Sequence, residues 1–302
     1  MLPPAPLQPL HLDWLRAARI DVAIQRLDLI DPLISGNKWF KLKHHLTAAS
    51  QAGAEGLISL GGAHSNHLHA LAAAGKRFGF ATVGLVRGHP VQTPTMLDVQ
   101  AFGMALHWLG YAGYRARHEP DFWAPWRERY PQLHPVPEGG GGLDGALGCA
   151  EIVSQARRQL ADLGWEDYDG WWLACGTGTT LAGLVLAESD GHKVYGAMAV
   201  PEGHGVAQNI PAILGGSDDQ RYELLDASRG GFAKADPELM VFIAECEQQS
   251  GIPLEPLYTG KALLALRQAV DARRFAAGSR LIFVHTGGLQ GKTAFVAGLG
   301  GR

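Results

Sequence analysis

Trp171-Trp172-Leu173-Ala174-Cys175-Gly176-Thr177-Gly178-Thr179-Thr180 passes from an unbroken apolar stretch into a glycine- and threonine-rich turn, and then into the apolar periodicity of 180–188. A short, continuously apolar run bounded by glycine predicts a strand buried on both faces, and such strands belong to parallel sheets. The next apolar run, 193–200, completes a strand, helix, strand unit. Glycine lets the main chain approach an anion closely, hydroxyls add donors, and a helix N-terminus contributes free N–H groups with partial positive charge. Gly176, Thr177, Gly178, Thr179 and Thr180 are therefore a candidate phosphate site. A tight turn closed by a threonine cap would account for the same residues without a ligand.

The same alternation extends outward in both directions. Strands are predicted at 21–28, 56–60, 81–86 and 104–109, with helices at 39–52, 66–78 and 95–102 between them. Two prolines and four glycines in 135–142 break any regular element and mark a possible domain crossing. Beyond them the pattern predicts a long helix at 143–163, further helices at 237–250 and 260–277, and a last buried strand at 281–284. This is an α/β chain, and its glycine-rich turns fall at the carboxyl ends of strands, where parallel sheets bind ligands.

Composition narrows the function classes. Among 302 residues, 26 Lys and Arg against 29 Asp and Glu give a net charge of -3 with the basic residues scattered, which argues against a nucleic-acid partner. Cys149, Cys175 and Cys246 are far apart, with no close pair for zinc or redox exchange, and fit a reducing cytoplasm. No basic segment followed by an apolar stretch opens the chain, and no apolar run is long enough to cross a bilayer.

Two further turns accompany the first. Ser35-Gly36-Asn37-Lys38-Trp39-Phe40-Lys41 puts one of only eight lysines where a strand hands over to a helix, with Lys41 one helical turn on as a countercharge. Leu60-Gly61-Gly62-Ala63-His64-Ser65-Asn66-His67 also ends a strand and opens a helix. Its N–H groups could hold a carboxylate, the Asn66 amide a ring hydroxyl, and Ser65 could reach a reacting atom, although an N-cap role for Ser65 or Asn66 would serve equally. His64, His67 and His69 fit no usual metal spacing, so no metal is expected. After the last strand, His285-Thr286-Gly287-Gly288-Leu289-Gln290-Gly291-Lys292-Thr293 ends like a nucleotide-triphosphate loop but has threonine at 286 where that loop needs glycine. A lysine beside an anion cradle and a slot for a planar ring points to an imine with pyridoxal phosphate.

Together with Tyr258-Thr259-Gly260-Lys261, these motifs resemble, in order and from about Leu7 to Gly291, the 1-aminocyclopropane-1-carboxylate deaminase and D-cysteine desulfhydrase family. The resemblance implies a two-domain fold of open twisted sheets, pyridoxal-phosphate fold type II (tryptophan synthase β-like). Residues 1–42 with 147–302 would form a large cofactor-binding domain and 43–146 a small one. It further implies pyridoxal 5'-phosphate joined to Lys38, which then serves as the base at Cα. The phosphate would lie on 176–180 with Lys41, and Asn66 would meet the ring hydroxyl. The substrate carboxylate would meet Ser65, Asn66 and His67, and Tyr258 would lie against the substrate as acid, base or orienting group. Thr259 or Thr286 would face the pyridine nitrogen. A homodimer acting on a small amino acid is implied.

The deaminases of that family carry glutamate directly after the tyrosine and leucine after the last histidine, whereas this chain has Thr259 and Thr286, as in the desulfhydrase branch. A carboxylate at the pyridine nitrogen makes a stronger electron sink than a hydroxyl does, and ring opening needs that sink. The expected reaction is β-elimination from a small amino acid, with D-cysteine as leading substrate. Cyclopropane deamination, racemisation, β-replacement and a non-catalytic cofactor-binding protein are the alternatives. Trp39-Phe40, His69 and Gly231-Phe232 depart from the family pattern around the site.

Overall fold

The computed structural model describes residues 4–188, 191–216, 220–231, 234–290 and 292. Its strands are β1 Leu7–Pro9, β2 Asp21–Arg26, β3 Gly56–Gly61, β4 Ala81–Val86, β5 Ala105–Trp108, β6 Leu133–Pro135, β7 Gly170–Cys175, β8 Lys193–Met198, β9 Tyr222–Asp226 and β10 Arg280–His285. Its helices are α1 Asp13–Ala18, α2 Asn37–Gln51, α3 Asn66–Phe78, α4 Pro94–Ala101, α5 Gly110–Arg115, α6 Ala124–Arg129, α7 Gly142–Arg157, α8 Thr179–Ala187, α9 Val206–Leu214, α10 Pro237–Ser250 and α11 Thr259–Asp271. They build two sheets, one in the order β1-β2-β10-β7-β8-β9 and one in the order β5-β4-β3-β6. Every pairing is parallel except that of β1 with β2.

Strand periodicity explains why the larger sheet is apolar throughout. Trp171, Leu173, Ile282 and Val284 point into one core with α7 and α8, while Trp172, Ala174, Leu281 and Phe283 point into the other with α10 and α11. The buried indoles find partners: Trp171 Nε1 donates to the Glu188 carboxylate at 2.6 Å and Trp172 Nε1 to the Ala262 carbonyl at 2.8 Å.

Two predicted helices end early. In the stretch 143–163 the α-helix runs only to Arg157 and Leu160–Leu163 continues as a short 3-10 helix; between them Gln159 bonds the N-terminal segment, accepting from Leu7 N at 3.0 Å and donating to Ala5 O at 3.0 Å. The stretch 260–277 starts at Thr259 and stops at Asp271. Arg273 takes φ 54°, its N–H returns to Val270 O and that of Arg274 to Ala269 O, a Schellman closure. Arginine at that position hides the stop signal glycine would have given. Strands β1, β6 and β9 and helices α1, α5, α6 and α9 were absent from the sequence reading; most are too short to display a period.

Candidate active site

The carboxyl ends of β10 and β7 in one sheet and of β3 in the other each open into one of the turns quoted above, the lysine turn follows β2 after a short 3-10 helix, and these turns touch: Asn37 reaches Thr180, Lys41 reaches Thr177 and Gly288 lies beside Asn66. Gly36 caps α2 at φ 68°, and a Cβ there would stand 2.0 Å from the Thr286 carbonyl, so only glycine lets the lysine turn seat on the turn after β10. Asn37 N–H donates to that carbonyl at 3.1 Å. The Asn37 side chain then bridges two motifs: its Nδ2 donates to Thr180 Oγ1 at 2.9 Å and its Oδ1 accepts from Lys38 Nζ at 3.1 Å. Lys38 is half-buried by area, yet its amine lies among protein atoms. Loss of solvation, and then the neighbouring Lys41 charge, push its pKa well below the usual lysine range, so it deprotonates readily.

Lys41 is buried and directs its amine to Thr177 Oγ1 and Gly139 O, each at 3.4 Å. Gly178, φ 80°, is the N-cap of α8 and supplies no side-chain acceptor, so the first N–H groups of the helix are left for another acceptor. Open helix donors, the Thr177 and Thr179 hydroxyls and a buried cation make an anion cradle. Gly176 lies under the Tyr258 ring, where a Cβ would approach Cε1 to 3.0 Å.

Helix α3 is closed differently. Ser65 Oγ accepts from Leu68 N at 3.2 Å and is the N-cap, which leaves its proton free to donate outward. The Asn66 amide makes no hydrogen bond among the described residues and lies beside Gly288, where a Cβ would stand 2.8 Å from its Nδ2. His67 is buried, and its tautomer follows from Ser59. That hydroxyl donates to Val136 O at 2.7 Å and so accepts from His67 Nε2 at 2.8 Å, leaving Nδ1 an acceptor with no partner among the described residues. Burial, then the Lys38 and Lys41 charges, hold this imidazole well below the usual histidine pKa, and it is neutral. His64 is exposed, while His69 lies 3.5 Å from Asp98 and edge-on to Phe102. Among the described residues, no group of three His, Cys, Asp or Glu is poised to hold a metal.

The N-terminus of α11 is filled from within. The buried Glu255 carboxylate accepts from the N–H groups of Leu257, Tyr258 and Thr259 at 2.7, 2.8 and 2.6 Å, and from Thr259 Oγ1 at 3.2 Å. Thr259 Oγ1 in turn accepts from Glu255 N at 3.1 Å and is fully buried, so its hydroxyl is committed. Thr286 is the opposite case: its hydroxyl makes no hydrogen bond among the described residues. Burial, followed by the Glu255 and Glu138 charges, pushes the Tyr258 phenol above its usual pKa, so it stays protonated.

The sequence-predicted residues Lys38, Lys41, Asn66, Tyr258, Thr286 and the 176–180 turn thus lie in mutually contacting segments, while Thr259 is turned into its own helix end. Sequence reasoning missed Glu255, the Asn37 side chain, the Gly139 carbonyl and Ser59. Glu255 stands three residues before Tyr258, the N-cap of α11, outside the position at which a capping side chain is read from sequence. Phe232, Gly291 and Thr293 lie outside the described residues.

An anion cradle, a desolvated lysine and strand-end turns on two sheets define a cofactor-binding α/β enzyme site. Residues 4–287 match the family described as pyridoxal-phosphate dependent enzyme, and the chain belongs to it. A protein of Pyrococcus horikoshii, provisionally named a 1-aminocyclopropane-1-carboxylate deaminase, is 30% identical over 289 residues, 90% of this chain and 85% of its own. The 1-aminocyclopropane-1-carboxylate deaminase of Ralstonia pickettii is 27% identical, over 97% of this chain and 94% of its own. A crystal structure described as an ACC deaminase homologue superposes with TM-score 0.81 at 28% identity, covering 99% of this chain and 93% of its own. The fold is therefore pyridoxal-phosphate fold type II, tryptophan synthase β-like, and the cofactor is pyridoxal 5'-phosphate. The residues present fit it: the open end of α8 with Lys41 suits a phosphate, and Lys38 an aldehyde.

Proposed function

We propose that the protein catalyses β-elimination from a small amino acid, with D-cysteine as the leading substrate. The net reaction is D-cysteine and water to pyruvate, ammonia and hydrogen sulfide. When bound, pyridoxal phosphate supplies an electron sink that acidifies the substrate Cα–H. Lys38 is read as the residue that holds the aldehyde and then takes the Cα proton on Nζ, a role supported by its lowered pKa. Asn37 orients that amine. Ser65 Oγ–H and the Asn66 amide are the donors available to a substrate carboxylate or ring hydroxyl, and the neutral His67 Nδ1 is an acceptor beside them. Tyr258, protonated at neutral pH, serves as an acid toward the departing thiolate and not as a base.

The observation that carries the choice of reaction is the pairing of a committed Thr259 with an uncommitted Thr286. Thr286 then offers a neutral hydroxyl to the pyridine nitrogen, while the nearby Glu255 carboxylate is consumed by backbone donors. A hydroxyl partner leaves the weaker sink, adequate for a good leaving group. The second reading is cyclopropane deamination, favoured by the names of the relatives from Ralstonia pickettii and Pyrococcus horikoshii. Steady-state assays on D-cysteine, β-chloro-D-alanine, D-serine and 1-aminocyclopropane-1-carboxylate separate them: turnover of the last alone overturns β-elimination. The two sheets, drawn from 7–26 with 170–285 and from 56–135, support the division into 1–42 with 147–302 and 43–146. A cytoplasmic homodimer belongs to the same reading.

A further inference from the structure

Lys261, in the first turn of α11, is a buried lysine that the proposed reaction does not use. Among the described residues its amine donates to Gly231 O at 2.8 Å, Ser228 O at 2.9 Å and Ala199 O at 3.4 Å. These come from two segments. Ala199 follows β8 and its N–H is bonded to Cys175 O, at the head of the glycine-threonine turn. Ser228 and Gly231 flank a turn in which Arg229 and Gly230 both have positive φ, 55° and 75°. Three converging carbonyl oxygens are the donor set that holds a hard monovalent cation, and an ammonium is a compact point charge of similar demand. Burial lowers the Lys261 pKa to about 8, and against that loss of solvation Glu255, Asp226 and Asp236 favour the positive charge while Arg229 opposes it. A cavity of about 190 Å³ is lined by Asp226, Arg229, Lys261 and Gln268.

We propose that Lys261 is a tethered internal cation: a positioning residue whose ammonium fastens the 228–231 turn and the end of β8 to the helix that presents Tyr258, and whose place a free potassium or ammonium ion can take when the side chain is shortened to an apolar one. The inference rests on the reading of Tyr258 as a site residue only for its effect on turnover. Its structural half stands on the carbonyl cage alone.

The test compares the full-length wild type with Lys261→Ala in chlorides of potassium, ammonium, sodium and tetramethylammonium at equal ionic strength, reading melting temperature with and without pyridoxal phosphate and turnover of whichever amino acid the wild type consumes. The wild type should be indifferent to the cation. Lys261→Ala should lose on the order of tenfold in kcat in tetramethylammonium, and potassium or ammonium should restore both kcat and melting temperature saturably. A folded Lys261→Ala that ignores the cation, or equals the wild type in tetramethylammonium, overturns the proposal. If the variant does not fold in tetramethylammonium, refolding yield across the four salts replaces melting temperature, and equal failure in all of them overturns it too. Cation-dependent melting in a protein that turns over no amino acid would sink the proposed reaction and leave this inference standing.

Discussion

Two helix N-termini lie against each other, with Gly176 under the Tyr258 ring, and are finished in opposite ways. At α11, Glu255 lies four residues upstream of Thr259 and folds back to accept three N–H groups and a hydroxyl. At α8, Gly178 offers no side chain and the donors stay open, with Lys41 beside them. Both ends carry the same partial positive charge, so the charge alone does not make an anion site. What distinguishes them is whether the chain has supplied its own carboxylate. The proposed phosphate site is the end left unfinished, and the finished end fixes Tyr258 instead.

The comparison can be broken at each end. The largest effect is expected at the partner of the open end: Lys38→Ala should remove the visible absorption of the bound cofactor and lower turnover by roughly 10³-fold or more, while Lys43→Ala, on the exposed side of the same helix, should change neither. Next, Thr177→Glu supplies α8 with a resident carboxylate beside Lys41. It should weaken pyridoxal-phosphate affinity by about a hundredfold, roughly 2.7 kcal/mol, and leave the melting temperature of the cofactor-free protein unchanged or raised. Unchanged affinity would mean the phosphate lies elsewhere.

At the finished end, Glu255→Ala strips the acceptor from three buried N–H groups. It should cost about 3 kcal/mol in denaturant unfolding without creating a second phosphate site, because Leu257 and Thr259 are buried. The smallest effect concerns pH. Lys38 has a folded-state pKa below its unfolded value, so between those two values the unfolded chain binds the extra proton and stability rises with pH. Cofactor-free Lys38→Met should therefore be more stable than cofactor-free wild type at pH 7, with the gap closing as pH approaches the ordinary lysine range. A gap that widens with pH would contradict the desolvation of that amine.

Much of this contrast was legible before any coordinates. Glycine, threonine and a preceding apolar run announced the open end of α8, since an anion cradle needs small residues next to a buried strand, and those requirements are local. The finished end was not read, although Glu255 stands in the same short stretch as Tyr258. Seeing it requires knowing that the chain turns back at Pro256 and that the carboxylate is buried. The role of Asn37 as a bridge from Lys38 to Thr180 spans 143 residues and could come only from the packing of β2, β10 and β7 side by side. His67 was singled out as a substrate contact, but its tautomer depends on Ser59, whose hydroxyl is committed by the Val136 carbonyl from the neighbouring segment.

The most direct test is chemical capture of the lysine. Borohydride reduction of the purified holoprotein, followed by proteolysis and mass mapping, should find the pyridoxyl group on the peptide containing Lys38 and nowhere else. Recovery of the group on Lys41 or Lys261, or of no adduct from protein that contains the cofactor, would contradict the account.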